Sequence, residues 1–348
     1  MQILIFNQSD RKLAGIIEAF EYLLWTRLYS ACGSFELKAV ATDENIALLQ
    51  IGNILWKNDD AEAGIIEYIE MAMQEQEYIT VSGRFATSLL ARRIIWGTEI
   101  LTGNLSAAVG QLLGNHIIAP ANTDRAIDGI AYTPSVTGVS VSTQVSFKNL
   151  MDTVTRLCEA ADMGLRTIFT PQSGLFTVEL YSGAVSQAVF SKEYENIIEQ
   201  VFTVSISEYA NTALVGGEGE GSARIFATAG SGSGLDRYEM FVDAKDLRSE
   251  DFPDGYEAAL LFRGNSKLAE QAMARAFDVT VNQYGNLQYK TDFDLGSVIR
   301  AVSKRWGVSV TARITAVEES YDRDGMSLSV TFGKPLLTLA EKLKRSAD

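Results

Sequence analysis

The sequence has one histidine, two cysteines and five prolines in 348 residues, and its 30 basic side chains are outnumbered by 44 acidic ones. Each scarcity closes a class of function. With His116 alone, any metal cluster or catalytic device that needs two histidines is excluded. Cys32 and Cys158 lie far apart and form no CxxC pair, so neither a disulfide framework nor a zinc ribbon is encoded. A net charge of −14 without a basic cluster has the wrong sign for nucleic acid, whose affinity comes from lysine and arginine on phosphate. The same sign disfavours an anionic membrane surface. Long apolar runs are also missing. The longest stretch free of acidic and basic residues, 100–123, is interrupted by Asn104, Ser106, Gln111, Asn115, His116 and Asn122, whereas a membrane span needs about 20 predominantly apolar residues. The opening MQILIF is too short for the apolar core of a signal peptide, so export is not expected.

What is present is a folding chain. At 47% hydrophobic and 21% charged residues it can bury a core in each of two or three domains, at roughly 100–200 residues per domain. Residues 1–104 read as mostly strand with one or two short helices: Phe35, Leu37 and Ala39 alternate with Glu36 and Lys38. The segment Ile65–Met73 fits a helix or a strand face equally, with Gln74–Glu77 as a turn into Tyr78–Val81. After Gly83, the spacing of Phe85, Leu89, Leu90, Ile94 and Ile95 predicts a helix.

Residues 105–200 read as an α+β unit. A strand-like run covers Thr133–Ser146; Leu150, Val154, Leu157 and Ala161 make a helical stripe that Asn149 can cap; Leu165–Thr170 and Leu175–Tyr181 form a hairpin around Pro171–Gly174. Residues 201–335 return to strands, from the alternating Phe202, Val204 and Ile206 to Ser309–Val317 and Met326–Phe332 around the hairpin signal Asp324-Gly325. A helical stretch near Tyr256–Phe277 interrupts them, Gly216–Gly221 and Gly230–Gly234 are loop tips, and 336–348 is a tail. No residue-level repeat links the two strand-rich regions.

Chemistry is sparse. His116 reads as a histidine in a polar loop, and no Gly-x-Ser-x-Gly elbow accompanies it. Cys158 sits mid-helix and Cys32 has no neighbouring histidine to lower its pKa, so neither is a nucleophile. In Gly216–Gly221, Glu218 and Glu220 would repel phosphate and no Gly-Lys-Ser/Thr follows. Asp322-Arg323-Asp324-Gly325 lacks the glycine and glutamate positions of a calcium loop, and Asn58, Asp60 and Glu62 read as a solvated acidic turn. Trp25 and Tyr29, at i and i+4, would face one way on a helix, or Trp25, Arg27 and Tyr29 would share one face of a strand; core packing is the default expectation, with an interface role open. No catalytic, cofactor or metal site is expected.

An ordered set of short motifs carries a resemblance. Trp25-Thr26-Arg27 and Tyr29, Gly33-Ser34-Phe35-Glu36-Leu37, Gly64-Ile65-Ile66-Glu67, Thr80-Val81-Ser82-Gly83-Arg84 and Leu89-Leu90-Ala91-Arg92-Arg93-Ile94 come first. Tyr209-Ala210-Asn211 with Val215-Gly216-Gly217, Arg237–Leu247, Tyr289–Ser297 and Ile314–Gly333, which ends Val330-Thr331-Phe332-Gly333, follow. Together they resemble the siphophage tail-tip hub family of tail-associated minor tail proteins, which is similar to the baseplate hub of contractile phage tails and to type VI secretion spikes. In Asp294-Leu295-Gly296-Ser297 the chain has Ser297 where relatives often carry an aspartate.

The resemblance implies an α+β, β-rich fold in which two β-barrel domains, 1–104 and 201–335 with a helical insertion near 253–277, bracket a smaller α+β domain at 105–200. It implies a non-enzymatic homotrimer that closes the hexameric tail tube and carries the central spike, fibre or receptor-binding proteins. Its partners would be the distal tail protein or tail tube and the tape measure protein, with no nucleic-acid binding, membrane insertion or cofactor. Its place would be the virion tail tip, after synthesis in the bacterial host cytoplasm. The structural or interface positions carried by the motifs are Trp25, Tyr29, Gly33, Phe35, Gly64, Gly83, Arg93, Asn211, Asp294, Gly296 and Gly333. Some family members end in a hydrolase or receptor-binding extension; here about 15 residues follow Gly333, so such a module is expected on a separate chain. The alternative is a tail-associated cell-wall hydrolase acting through carboxylates such as Asp322 and Asp324, and a sixfold tube or distal-tail subunit is a third reading.

Overall fold

The computed structural model describes residues 1–73, 76–135, 138–253 and 255–334. Alternating burial builds the first strands, β1 (Ile3–Phe6), β2 (Leu13–Ile17), β3 (Tyr22–Leu28) and β4 (Ser34–Val40); Leu23, Trp25 and Arg27 turn inward from β3, and Phe35, Leu37 and Ala39 from β4. Helix α1 (Asp43–Leu48) starts where the Thr42 hydroxyl accepts from the Asn45 N–H at 3.1 Å. Then come β5 (Ile54–Lys57), β6 (Ala63–Met73) and β7 (Glu77–Phe85). The ambiguous Ile65–Met73 is strand, because Ile69 pairs Val81 and Met71 pairs Ile79. The centre of the predicted turn at 74–77 lies outside the described residues.

After β7 the expected helix is only a 3-10 turn, Ala86–Arg92; Ile94 already bridges Asn149. Strand β8 (Thr98–Asn104) leads into α2 (Leu105–Leu113), whose cap Asn104 accepts from the Ala107 N–H at 2.8 Å. The run Thr133–Ser146 is not one strand: β9 (Ile130–Thr133) ends as β10 (Ser140–Ser146) is still to begin, and the two join different sheets. Helix α3 (Leu150–Ala160) follows, capped by Asn149, whose carbonyl oxygen accepts from the Asp152 N–H at 3.2 Å. The hairpin β11 (Gly164–Thr170) and β12 (Leu175–Tyr181) packs with α2, α3 and β9 around Leu105, Val109, Val154, Leu157, Phe169 and Val178.

The later strands are β13 (Val185–Ser191), β14 (Ile197–Ser205), β15 (Thr212–Gly216), β16 (Phe226–Gly230) and β17 (Glu239–Asp243). Helix α4 (Tyr256–Glu270) lies on β15 and β16, with Leu260 and Ala259 against Ala213, Val215 and Ala229. The helix stops short of the predicted stretch, since Ala276 belongs to β18 (Ala274–Val281) and pairs Gly333. Strands β19 (Val298–Ser303), β20 (Val308–Asp322) and β21 (Gly325–Lys334) complete the described chain, with Asp322–Gly325 as the predicted turn. The tail at 336–348 lies outside the described residues.

Thirteen strands form one sheet, ordered β14-β18-β21-β20-β3-β4-β7-β6-β5-β1-β2, with β13 and β19 attached beside β20. No closed barrel occurs among the described residues. The two strand-rich regions meet instead at an antiparallel seam, Ala316–Tyr321 of β20 on Leu23–Leu28 of β3. The reason is length: the 15-residue β20 pairs β19 through Val308–Arg313 and still has its second half for β3.

The structure also shows a repeat that the sequence hides. In the first half, β3, β4, β6 and β7 come in that chain order and lie in the spatial order β3-β4-β7-β6. In the second, β14, β18, β20 and β21 lie as β14-β18-β21-β20, again all antiparallel. Both halves have a bulge at the same place, Glu67 in β6 and Thr315 in β20. The spacing is masked because β3 and β4 are joined by 29–33, whereas 206–273, with β15–β17 and α4, separates β14 from β18.

Candidate functional surface

One face of eight strands, β14 through β6, is open to solvent. Burial alternates along β3, β4 and β21, and the register of the ladders carries that alternation across to their neighbours. Going across it, Glu199 meets Thr280, Thr280 meets Ser329, Ser329 meets Glu318, Glu318 meets Thr26, Thr26 meets Ser34, and Leu24 meets Glu36. Glu36 then meets Ser82, Ser82 meets Tyr68, and Thr80 meets Glu70. Carboxylates outnumber cations: Glu36, Glu67, Glu70, Glu199, Asp278 and Glu318 against Lys38 and Arg84. Arg84 is bound to Glu67 at 2.8 Å, Lys38 lies over the Tyr78 ring, and the Thr331 hydroxyl donates to Asp278 Oδ1 at 2.6 Å. The Tyr22 hydroxyl donates to Glu36; burial first, and that carboxylate second, push its pKa up to about 12. This face has shallow depressions, one around Thr26, Glu199, Asp278 and Glu318 and another around Glu36, Glu67 and Arg84.

Behind the seam lies a buried ionic cluster. Arg27, predicted to share a face with Trp25 and Tyr29, is buried with them. Its Nη1 donates to Asp294 Oδ1 at 2.8 Å and to the Tyr289 hydroxyl at 2.9 Å, and its Nε lies 3.7 Å from Asp60 Oδ2 and 3.5 Å from Glu62 Oε2. Lys57 Nζ donates to Glu319 Oε2 and Asp59 Oδ1, both at 2.8 Å, and Lys290 Nζ donates to the Asp59 carbonyl at 2.7 Å. Burial by itself would lower Arg27 and Lys57; Asp60, Glu62 and Asp294 around the first and Glu319, Asp59 and Asp60 around the second reverse the sign, so both are held above their ordinary values. Glu62 has the opposite fate: burial pushes it up to about 7 against the pull of Arg27.

Asp60 and Glu62, expected in a solvated turn, are therefore core residues, with 8% and 3% exposure. Their spacing carried no sign of this, because Arg27 of β3 and Lys290 of the loop at 289–294 are far away in sequence and only Lys57, 4.0 Å from Asp60, is near. The motif Tyr289–Ser297 brings Tyr289, Lys290 and Asp294 to the cluster, and Ser297 Oγ accepts from the Asp294 N–H at 3.1 Å, which closes that turn.

The eleven motif positions fall into groups. Trp25 stacks on Phe35 and Phe85 at 6.1 and 4.5 Å and donates from Nε1 to Asp60 Oδ2 at 3.1 Å. Gly33, Gly64 and Gly83 surround this stack: an added Cβ would overlap the Thr26 carbonyl oxygen, the Phe35 ring and the Ile65 carbonyl oxygen respectively. Tyr29 donates to the Tyr181 carbonyl at 3.2 Å and packs on Gly296, which sits at φ +85°. Asp294 joins the ionic cluster. Arg93, which donates to the Arg125 carbonyl at 2.6 Å, Asn211, which donates to the Asp236 carbonyl at 2.6 Å, and Gly333, at φ +81° against the Arg275 carbonyl, lie elsewhere.

His116 is buried in a single π-helical turn, 3.0 Å from Glu99 Oε1, rather than in a polar loop, and burial lowers its pKa. Burial pushes both Cys32 and Cys158 up to about 12, which keeps them as thiols at neutral pH. Asp322 and Asp324 sit in an exposed turn where Asp322 Oδ1 accepts from the Asp324 N–H at 2.9 Å. Among the described residues no group of three or more histidine, cysteine, aspartate or glutamate side chains is placed to hold a metal ion, and no helix is long and apolar enough to cross a membrane.

Comparison with known proteins bears on the surface as a whole. The family described as Siphovirus ReqiPepy6 Gp37-like protein matches residues 2–334. Among solved structures, the 43 kDa tail protein of prophage MuSo2 from Shewanella oneidensis has a TM-score of 0.64 at 14% identity, over 96% of this chain and 99% of that one. The tail protein from Neisseria meningitidis MC58 has a TM-score of 0.62 at 12% identity, over 96% of each chain. Prophage tail protein gp18 from Listeria monocytogenes EGD-e has a TM-score of 0.60 at 12% identity, over 100% of each. At such identities the likeness is one of fold, and it is with phage tail proteins. No curated protein sequence matches the chain.

Proposed function

The chain belongs to the Siphovirus ReqiPepy6 Gp37-like protein family, and from that premise we propose that it works as a structural hub at the tail tip, three copies forming a ring that closes the sixfold tail tube. The observation that carries this reading is the repeat of strand order: one chain supplies two four-stranded units of the same topology, so three chains supply six. The two units stand in for the two barrel domains of such hubs, expected at 1–104 and 201–335, the second opening with β14 at Ile197; the α+β unit between them stands outside the ring.

The open face of β14 through β6 lines the lumen in this arrangement. Its carboxylates repel DNA phosphates, which favours passage over binding. The distal tail protein or tail tube sits above the ring, the tape measure protein within reach of the lumen, and a spike or receptor-binding protein below. The test is native mass by light scattering over a concentration series, alone and with isolated tail tubes. A trimer of 38.0 kDa chains has a mass of about 114 kDa. A stable dimer in both conditions rejects the ring.

A further inference from the structure

The motif Leu89-Leu90-Ala91-Arg92-Arg93-Ile94 belongs to neither the open face nor the ionic cluster. It runs from the 3-10 turn Ala86–Arg92 towards β8. The sequence shows two arginines there, and folding brings a third: Arg125, at the end of the 3-10 turn Thr123–Arg125. Backbone carbonyls tie the three together. Arg93 Nε donates to the Arg125 carbonyl at 2.6 Å and its Nη1 to the Arg92 carbonyl at 2.9 Å, while Arg125 Nη2 donates to the Ile94 carbonyl at 2.5 Å. Two guanidinium forks are thus fixed in place with most of their N–H donors unspent, and Arg92 is exposed beside them.

No carboxylate neutralises these cations. Among the described residues none of the three forms an ion pair, whereas Arg84, Arg263 and Arg313 bind Glu67, Asp246 and Asp162. The crowding registers at Arg93, whose pKa is lowered first by burial and then by its neighbours Arg125 and Arg92. In a chain of net charge −14, cations gathered and held without counter-ions are placed for an anion that comes from outside.

Apolar side chains adjoin them. The Arg125 guanidinium carbon lies 4.2 Å from the Trp96 ring centroid; Trp96 is 54% exposed and Ile94 44%. On the facing segment Phe147 sits between Ser146, which pairs Thr98, and Lys148, whose carbonyl accepts from the Ile95 N–H at 2.9 Å. Phe147 is 68% exposed and held at φ +54°, a conformation that a bulky side chain seldom adopts. Exposed aromatic and arginine side chains together are the composition that protein interfaces favour.

We propose that Arg92, Arg93 and Arg125, with Ile94, Trp96 and Phe147, form a docking site for a short acidic segment of another protein, one that carries apolar side chains between its carboxylates. Charge selects this occupant over a long polyanion. The chain as a whole is acidic, so a polyanion is repelled wherever it extends past the patch, whereas a short segment confined to the patch is screened from distant charges, the Debye length being about 8 Å at physiological salt. A peptide also covers the apolar side chains, which phosphate does not. The site is built within one chain, so it stands or falls apart from the ring of three.

The experiment is fluorescence anisotropy of labelled synthetic peptides in which glutamate alternates with leucine or phenylalanine, titrated with the full-length protein. Serine-for-glutamate peptides and polyphosphate serve as comparisons. Saturable binding of the glutamate peptides is expected, weakened about 10-fold or more in R92E/R125E, with the serine peptides weaker by a similar factor. Because Arg92 is exposed, R92E alone gives a change in the same direction should the double variant fail to fold. Equal binding by R92E and the natural protein, equal binding of serine and glutamate peptides, or no saturation with the glutamate peptides overturns the proposal. Polyphosphate binding more tightly than peptide, and lost in the same variants, overturns the protein partner in favour of a polyanion.

Discussion

The seam between β20 and β3 and the open edges at β14, which pairs only β18, and at β6, which β5 covers only along Ala63–Ile65, occupy corresponding places in the two halves, yet they are furnished in opposite ways. On the core side of the seam stand Arg27 and Glu319, buried and engaged with Asp60, Asp294 and Lys57. With the halves matched through their bulges, their counterparts at the open edges are Val204 and Met71, exposed and uncharged. A buried ion pair demands that all its partners be present, because a lone buried charge is costly. It suits a contact made once, within a chain, as the protein folds. Exposed hydrocarbon makes no such demand. The contrast teaches that one strand pairing is locked by buried charge, whereas the other edges are left uncovered within the single chain.

That contrast can be broken most severely at the seam. Arg27→Ala leaves Asp60, Glu62 and Asp294 without their cation, and unfolding by denaturant is expected to show a loss of about 3–5 kcal/mol; a loss under 1 kcal/mol would mean that the cluster does not hold the halves together. Glu62→Gln tests the same cluster through pH. The folded carboxyl titrates at about 7, above its ordinary 4.5, so the native state binds the proton more tightly than the unfolded chain. The stability this contributes is complete below pH 4.5 and is lost as pH rises through 7, by about 3 kcal/mol. Thermal unfolding should therefore show the glutamine variant gaining on the natural protein between pH 5 and 8; parallel pH profiles would remove Glu62 as the cause.

Smaller effects sharpen the comparison of the halves. Gly83 in β7 corresponds to Phe332 in β21, and only at Gly83 does the Ile65 carbonyl fill the place of a side chain. Gly83→Ala is expected to cost about 1–3 kcal/mol by overpacking, read as a lowered denaturation midpoint. The smallest change in the single chain is expected from Val204→Pro. By the alternation of the ladder its N–H points to the open edge, so no bond within the chain is lost and stability should stay within about 0.5 kcal/mol. A larger loss in denaturant unfolding would show that the outer edge of β14 is engaged within the chain.

Much of the local structure was legible. Phe35, Leu37 and Ala39 gave a strand by alternation, Asn149 a helix start and Asp324-Gly325 a turn, because each signal is contained in a few neighbouring residues. Legibility failed where the deciding partner was distant. Ile65–Met73 carried both periods, and only pairing to β7 made it a strand. Ala276 kept helical spacing from Leu268 but was claimed by Gly333 across the ladder. Glu62 looked solvated because nothing near it in sequence announced Arg27. The motif positions proved easiest to place where a glycine meets an aromatic ring, and the ionic cluster was missed although Tyr289–Ser297 contains three of its members.

The inserted lobe at 206–273 has an engineering consequence. It leaves β14 at Ser205 and returns into β18 at Ala274, and these two residues face each other across the ladder. Entry and exit are thus adjacent, like the contacts of a plug. A short turn could replace the lobe without disturbing the register of β14 on β18, and a different folded module could be grafted in its place. Such a socket would make the protein a scaffold whose cargo is exchanged at a single point in the chain.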